Sequence, residues 1–416
     1  MATILGTDET KVFSDLSEVR DLIKKLEETV SYETIDKKGM MAGEVINAPI
    51  LPQAFTSSPA PVINPNMYGE IAYPKLEQGK TFTVRYELSE QMREAMEGSR
   101  LVLGYSKDKH DIAEPLAMNA LPSLVSQAIG GKSSMLCQTE DKTAAKNMQT
   151  EIKAAIINEF LRLRNDKCKK YVCDGMVRYV ASDNYVYLPI SELLDVLSNG
   201  LGQIFPDFSF NRATVSHQFV SFYYTLNDQK LTQELVNILQ LTGSSDDYRP
   251  GLIFVTSNTG DSGANLIPVI FTPTGAVMVV EEPKKLEHVG SASMDVFSKN
   301  VRELLALYQA TPEKLQTMEE LTLKHPANAY RNVAFKSNIP LNCFTEKAEI
   351  FEQAYGSMAT ALDLYIELTN EFSAYCIKEN INELRKVKIL GSLSQKFLSV
   401  ERLEECDVDI DFTSIK

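Results

Sequence analysis

No run of apolar residues in this 416-residue chain approaches the roughly 20 needed to cross a bilayer, so a membrane-spanning helix is not expected. The opening MATILGTDETKVF lacks the charged start, apolar stretch and small-residue cleavage site of a secretory signal. Positive charge is in short supply: 42 Lys and Arg face 56 Asp and Glu, a formal net charge of -14. Phosphate neutralisation needs a local excess of cations, so a surface uniformly attractive to nucleic acid or to an anionic membrane is excluded, and only a local basic patch escapes. Cysteine is sparse and scattered, at 137, 168, 173, 343, 376 and 406, which predicts reduced thiols in a cytoplasmic setting and no disulfide framework. The four histidines, His110, His217, His288 and His325, never form a His-Glu-x-x-His pair, and Cys168 and Cys173 have no second pair of ligands nearby. No metal and no cofactor is expected.

What remains is the composition of a folded chain, 44% hydrophobic and 24% charged, with a sizeable core. Beta-branched and apolar runs at Leu252 to Thr256, Leu266 to Phe271 and Ala276 to Val280, bounded by Gly, Asn and Pro, predict strands, and Asp295 to Tyr308 switches to helical period. Ser17 to Val30 reads as an amphipathic helix with Ser17 at its N-cap. Gly39 to Asn66, with five prolines, reads as an extended arm. Thr81 to Leu88 alternates as a strand, and Leu121 to Ile129, Thr143 to Leu163 and Ile190 to Leu197 read as helices. Met176 to Leu188 predicts a hairpin turning at Ser182-Asp183-Asn184, and Ala213 to Leu226 a strand. Thr311-Pro312 carries a helix-start signal, and Phe351, Tyr355, Met358, Leu362, Tyr365, Thr369, Phe372 and Cys376 keep a seven-residue period that predicts one long helix suited to self-association. The fold class is α+β, a curved antiparallel sheet with packed helices and a helical C-terminal region. The expected units are an N-terminal helix and arm (1–66), an α+β core (67–335), a helical region (336–398) and an acidic tail (399–416).

Few motifs carry chemistry. Gly260-Asp261-Ser262-Gly263 matches the tetrapeptide around the nucleophile of chymotrypsin-like serine proteases, but the following Ala264-Asn265 and the missing Ala-Ala-His-Cys context leave a β-turn as the reading. Asp407, Asp409 and Asp411 alternate like the start of a calcium loop, yet Phe412 stands where that loop needs glycine. The tail from Glu401 to Lys416 holds six acids and two bases and resembles in chemistry the acidic partner-binding ends of bacterial single-strand DNA-binding proteins. A protein partner for it is one expectation; a solvated tail is the other. The one basic concentration is Arg162, Arg164, Lys167, Lys169, Lys170 and Arg178, offset by Asp166 and Asp174, with Tyr171 and Tyr179 interleaved. Cations that follow phosphates beside aromatic faces that stack bases are what single-strand binding uses. The bland alternative is a helix end and loop leading into a hairpin.

The order of elements from about Met118 to Tyr308 resembles the phage- and plasmid-encoded family called domain of unknown function nine-three-two. The residues that carry the likeness are LPSLVSQAIGG, the helix ending INEFLRLR, the stretch VRYVASDNYVYLPISELLDVL, and RPGLIFVTSNTGDSGANLIPVIF. Thr272-Pro273-Thr274-Gly275 departs from the family's frequent Cys-x-Asn-Gly element. The resemblance implies a viral or mobile-element origin, a location in the host cytoplasm and no established catalytic residues, and its arrangement of strands is similar to that of single-strand annealing recombinases. The expected function is non-enzymatic association with single-stranded nucleic acid through Arg162 to Tyr179. The alternative is a structural or interaction protein, a virion component or host-factor binder, that forms homo-oligomers. An enzyme is the least favoured class, because no nucleophile-base pair or ligand cluster is visible.

Overall fold

The computed structural model of the chain describes residues 4–5, 9–47, 68–74, 81–87, 101–107, 110–117, 120–129, 157–216, 218–239, 248–257, 259, 262–272, 276–281, 283–339, 344–379, 381, 383–397 and 399–409. Strands run over Thr10–Phe13 (β1), Ser31–Asp36 (β2), Met41–Asn47 (β3), Tyr68–Pro74 (β4), Thr81–Glu87 (β5), Leu101–Lys107 (β6), His110–Pro115 (β7), Lys167–Cys173 (β8), Met176–Ser182 (β9), Phe208–Ser216 (β10), Val220–Leu226 (β11), Arg249–Thr256 (β12), Ala264–Phe271 (β13), Val277–Val279 (β14) and Lys284–Leu286 (β15). Helices run over Leu16–Glu28 (α1), Leu121–Ile129 (α2), Ile190–Ile204 (α3), Gln229–Leu239 (α4), Met294–Arg302 (α5), Leu304–Glu320 (α6), Pro326–Lys336 (α7), Thr345–Tyr355 (α8), Ala361–Lys378 (α9), Glu383–Phe397 (α10) and Val400–Glu404 (α11). The fold is α+β with open antiparallel sheets and a helical C-terminal region, in agreement with the sequence pattern.

The largest sheet has the order β1-β10-β11-β12-β13, with β14 and β15 pairing opposite ends of β13. Every residue of β11 and all of β12 after Arg249 are buried, which explains continuous apolar runs where a half-exposed sheet would alternate. The stretch 213–226 is two strands, not one. The polar Ser216-His217-Gln218 interrupts it, and Ser216 Oγ accepts from the backbone N–H of Gln218 and Phe219 as the chain reverses. Pro268 lies within β13, where a missing donor would normally break the ladder. Its carbonyl accepts from Val280 N–H, so its absent N–H faces the β14/β15 side, in the gap between those two short partners. Gly251 is required by close packing: a Cβ there would overlap the Phe271 ring.

The C-terminal helices share this sheet's core. Buried residues from Leu5 to Cys406 form one cluster, and the hydroxyls of Tyr308 and Tyr365 donate to the carbonyls of Gly251 and Val279. The described residues of 336–398 are therefore packed on the sheet and share its core. A second, smaller core joins β2, β6, β8, β9 and α2. Met41–Asn47 departs from the expected arm: β3 is the central strand of the sheet β5-β4-β3-β6-β7. The rest of the proline-rich stretch, 48–66, lies outside the described residues, as does most of the helix expected over 143–163, of which 157–162 is helical.

Four further expectations change at their ends. Asp15 caps α1, its Oδ1 accepting from Ser17 N–H at 2.7 Å, so Ser17 is the second helical residue and not the cap. Pro312 sits inside α6, and the break expected there falls at Glu303, between α5 and α6. The long helix predicted over 351–376 is two helices. Gly356 (φ 55°) ends α8, and Thr360 with Asp363 forms a capping box that starts α9. The acidic tail is docked through Val408: Leu403 and Cys406 are buried, the Asp407 carboxylate accepts from the backbone N–H of Lys324 and His325 at 2.7 and 2.6 Å, and the Val408 carbonyl accepts from Asn328. These donors lie at the start of α7, where unpaired N–H groups and the helix dipole favour an anion.

Candidate nucleic-acid interface

The predicted basic patch falls on β8, β9 and the turn before them. Asp174 (φ 53°) and Gly175 (φ 71°) form the two-residue loop between the paired Cys173 and Met176, the geometry of a type I′ hairpin turn. The hairpin thus closes one strand earlier than expected: β9 pairs back onto β8, and the second arm expected after Asn184 forms an isolated bridge from Tyr185 to Val289. Asp-Gly tolerates two successive left-handed residues, which Ser182-Asp183-Asn184 does less well.

Strand alternation then divides the patch. On β8, Cys168 and Lys170 face the smaller core, while Lys169, Tyr171 and Cys173 face the other way. Lys170 is 2% exposed; its Nζ lies 2.8 Å from Glu33 and also bonds Glu114 and the Tyr105 hydroxyl. Glu33 stands opposite it on β2, and Glu114 on β7, so the lysine ties two sheets together. Arg178 is fully buried at a bulge where β9 shifts register against Tyr171 and Val172. Burial pulls its guanidinium below its ordinary pKa. Tyr171 is buried too, and its phenol is pushed well up by desolvation. Its ring packs 4.9 Å from Tyr32 and 6.5 Å from Tyr187. Half-buried Tyr179 packs edge-on against Tyr185 at 5.8 Å, and half-buried Lys169 donates to the Tyr185 carbonyl at 2.9 Å. Lys170, Tyr171 and Arg178 are therefore removed from the exposed patch, because a strand between two packed layers buries both of its faces.

The cations that stay outside lie at the start of β8. Arg162 pairs with Glu159 at 2.5 Å and Arg164 with Asp166 at 3.0 Å. Buried Lys37 also reaches Asp166 at 2.5 Å, and these bonds hold that carboxyl below its usual range. Lys167 and Lys38 are exposed and carry no ion pair among the described residues, and Phe160 stands 41% exposed on the preceding helical turn. The Lys37–Lys38 pair was missed in sequence because it lies some 130 positions upstream of its neighbours. Only the pairing of Asp36 with Lys167 brings it there.

The other motifs stay chemically quiet. The Ser262 hydroxyl donates to Gly263 carbonyl and accepts from Asn265, and buried His288 is engaged elsewhere, by Thr256 at 3.4 Å and the Val186 carbonyl at 3.2 Å. Gly260 and Asp261 lie outside the described residues. Cys168 and Cys173 point to opposite faces of β8, and among the described residues no three His, Cys, Asp or Glu side chains come together to hold a metal. Among them also no helix is long and apolar enough to cross a membrane. No family model, curated protein or solved structure matches the chain.

Proposed function

We propose that the chain is a non-enzymatic protein of phage or plasmid type, acting in the host cytoplasm, that holds single-stranded nucleic acid at the corner made by residues 159–167 and Lys37–Lys38. The observation that carries this reading is the exposure of Lys38 and Lys167, brought together by the pairing of Asp36 with Lys167, with Arg162 and Phe160 exposed on the helical turn that leads into β8. Cations there can track phosphates while the phenyl ring offers a stacking face. The remainder of the span to Tyr179 supports the corner from inside. About three phosphates neutralised gives a weak complex whose log affinity falls with log salt at a slope of roughly −2.

Fluorescence anisotropy of a labelled oligothymidylate across a salt series tests this. Binding at low salt should disappear in the Lys38→Glu, Lys167→Glu double variant, whose circular dichroism should be unchanged because both side chains are exposed. Failure of the native chain to bind at low salt sinks the reading, as does full binding by the double variant.

A further inference from the structure

The β8–β9 hairpin buries two cations and supplies anions to only one of them. Lys170 has Glu33 and Glu114. Arg178 has its Nε directed at the Cys173 carbonyl at 3.4 Å, and neither Nη1 nor Nη2 has a hydrogen-bond partner among the described residues, although the side chain is 0% exposed. A guanidinium keeps its proton at neutral pH, so it cannot escape the cost of burial by neutralising itself. Buried donors without partners are rare in folded proteins, and a role in binding an ion is one of the few physical explanations for them. The register shift at Arg178 is a second sign, since bulges re-aim a side chain out of the ladder.

A cavity lies beyond two of its neighbours, and Arg178 itself is not among the residues that line it. The charged or ionisable neighbours felt by Arg178 are Cys173, Asp174 and Tyr171. Two of these, Cys173 and Tyr171, line a cavity of about 40 Å³ between β8, α1 and the strands β10 to β12, with Ser216, Gln218 and Thr256 on its far side. Glu27 also lines it, but its carboxylate is tied down by the backbone N–H of Ser191 at 3.0 Å and by the Ser191 hydroxyl. Asp174 is likewise engaged, by the backbone N–H of Ile4 at 2.9 Å.

We propose that Arg178 is the receptor of a small oxyanion of the phosphate class, bound by the free Nη1/Nη2 fork from the cavity side as Tyr171 and Cys173 give way. A planar fork with two parallel N–H donors matches such an anion, and the low-dielectric surroundings strengthen the pair. This site stands at the turn end of β8, away from the exposed corner at Lys167, so it does not depend on the function proposed above.

Thermal unfolding in inorganic phosphate against chloride, at constant ionic strength, tests it. The native midpoint should rise with the logarithm of phosphate concentration once this exceeds the Kd, by about 2 °C for each tenfold. Arg178→Met, which deletes an unpaired buried charge and should fold, should show no phosphate response, and Arg178→Lys a weakened one because it keeps charge without the fork. An oligothymidylate arm separates the sources of the anion: if Arg178→Met loses only the phosphate response, the anion is free, and if it loses oligonucleotide binding as well, the anion is a strand phosphate. A native midpoint equal in phosphate and chloride, a response that stays proportional to phosphate concentration and never turns logarithmic, or an equal rise in Arg178→Met overturns the proposal.

Discussion

The sheet built on β11 and β12 and the hairpin β8–β9 are both buried, yet they bury opposite chemistry. β11 reads VSFYYTL and packs aromatic on aromatic, with Phe222 and Phe254 rings 6.0 Å apart. β8 reads KCKKYVC and hides a lysine between carboxylates of two neighbouring sheets. The first kind of burial is non-directional and scales with apolar area. The second is tolerable only where partners stand in place, because desolvation of a lone charge exceeds what scattered contacts return. A count of cations along the sequence therefore measures charge and says nothing of exposure.

The comparison is tested most strongly in the large sheet. Phe254 is fully buried and packs against Phe297 at 5.5 Å as well as Phe222. Phe254→Ala should cost about 3–5 kcal/mol in denaturant unfolding, with the slope of the transition retained. A loss below about 1 kcal/mol would mean that this layer is not the main core.

The hairpin gives the next largest effect. Lys170→Met leaves the Glu33 and Glu114 carboxylates facing each other without a cation, which should cost about 3 kcal/mol. That is the low end for a broken buried pair, because the two acids keep 25% and 26% of their side-chain exposure. Adding Glu33→Gln and Glu114→Gln should return most of the loss. If the single variant is as stable as the native chain, the ion cluster is screened by solvent and the contrast between the two regions fails.

How much of this was legible follows from the range of the interactions. Strands β12, β13 and β14, helices α2 and α3, and the α+β class depend on local periodicity and turn residues, and the sequence pattern places them within a few positions, except that α3 runs on seven residues past Leu197 to Ile204. The β8–β9 turn was legible too, in Asp174-Gly175, but the Ser-Asp-Asn triplet nearby competed for the same role. What periodicity cannot show is which strand lies between two layers. Arg162 and Lys167 stay outside while Lys170 and Arg178 go in, although all four lie within 17 residues: β2 and β7 deliver Glu33 and Glu114 to Lys170 from distant parts of the chain, and a bulge in β9 turns Arg178 inward. The split of the 351–376 helix has the same character in miniature: a seven-residue period runs unbroken through Gly356, and only its left-handed φ of 55° ends α8.

The smallest expected effect probes the seam between the two regions. His288 stacks on Tyr185 of the hairpin side at 5.5 Å and an interplanar angle of 6°, and its Nε2 lies 3.4 Å from Thr256 Oγ1 at the end of β12. Burial pulls its imidazole below the ordinary value of 6.5, with the Val186 carbonyl opposing the shift. The unfolded chain then takes up a proton near pH 6.5 that the folded chain refuses, so the unfolded state binds more protons in that window. This contribution is complete above the unfolded pKa and is lost as pH falls toward the folded one. Carboxylates destabilise in the same direction further into acid, so the native curve alone does not isolate the imidazole. The difference between the unfolding midpoints of the native chain and of His288→Asn does: acidification from neutral pH through the window should lower the native midpoint more than that of the variant. Parallel curves would mean that His288 titrates alike folded and unfolded, and that the seam between hairpin and sheet is open to water.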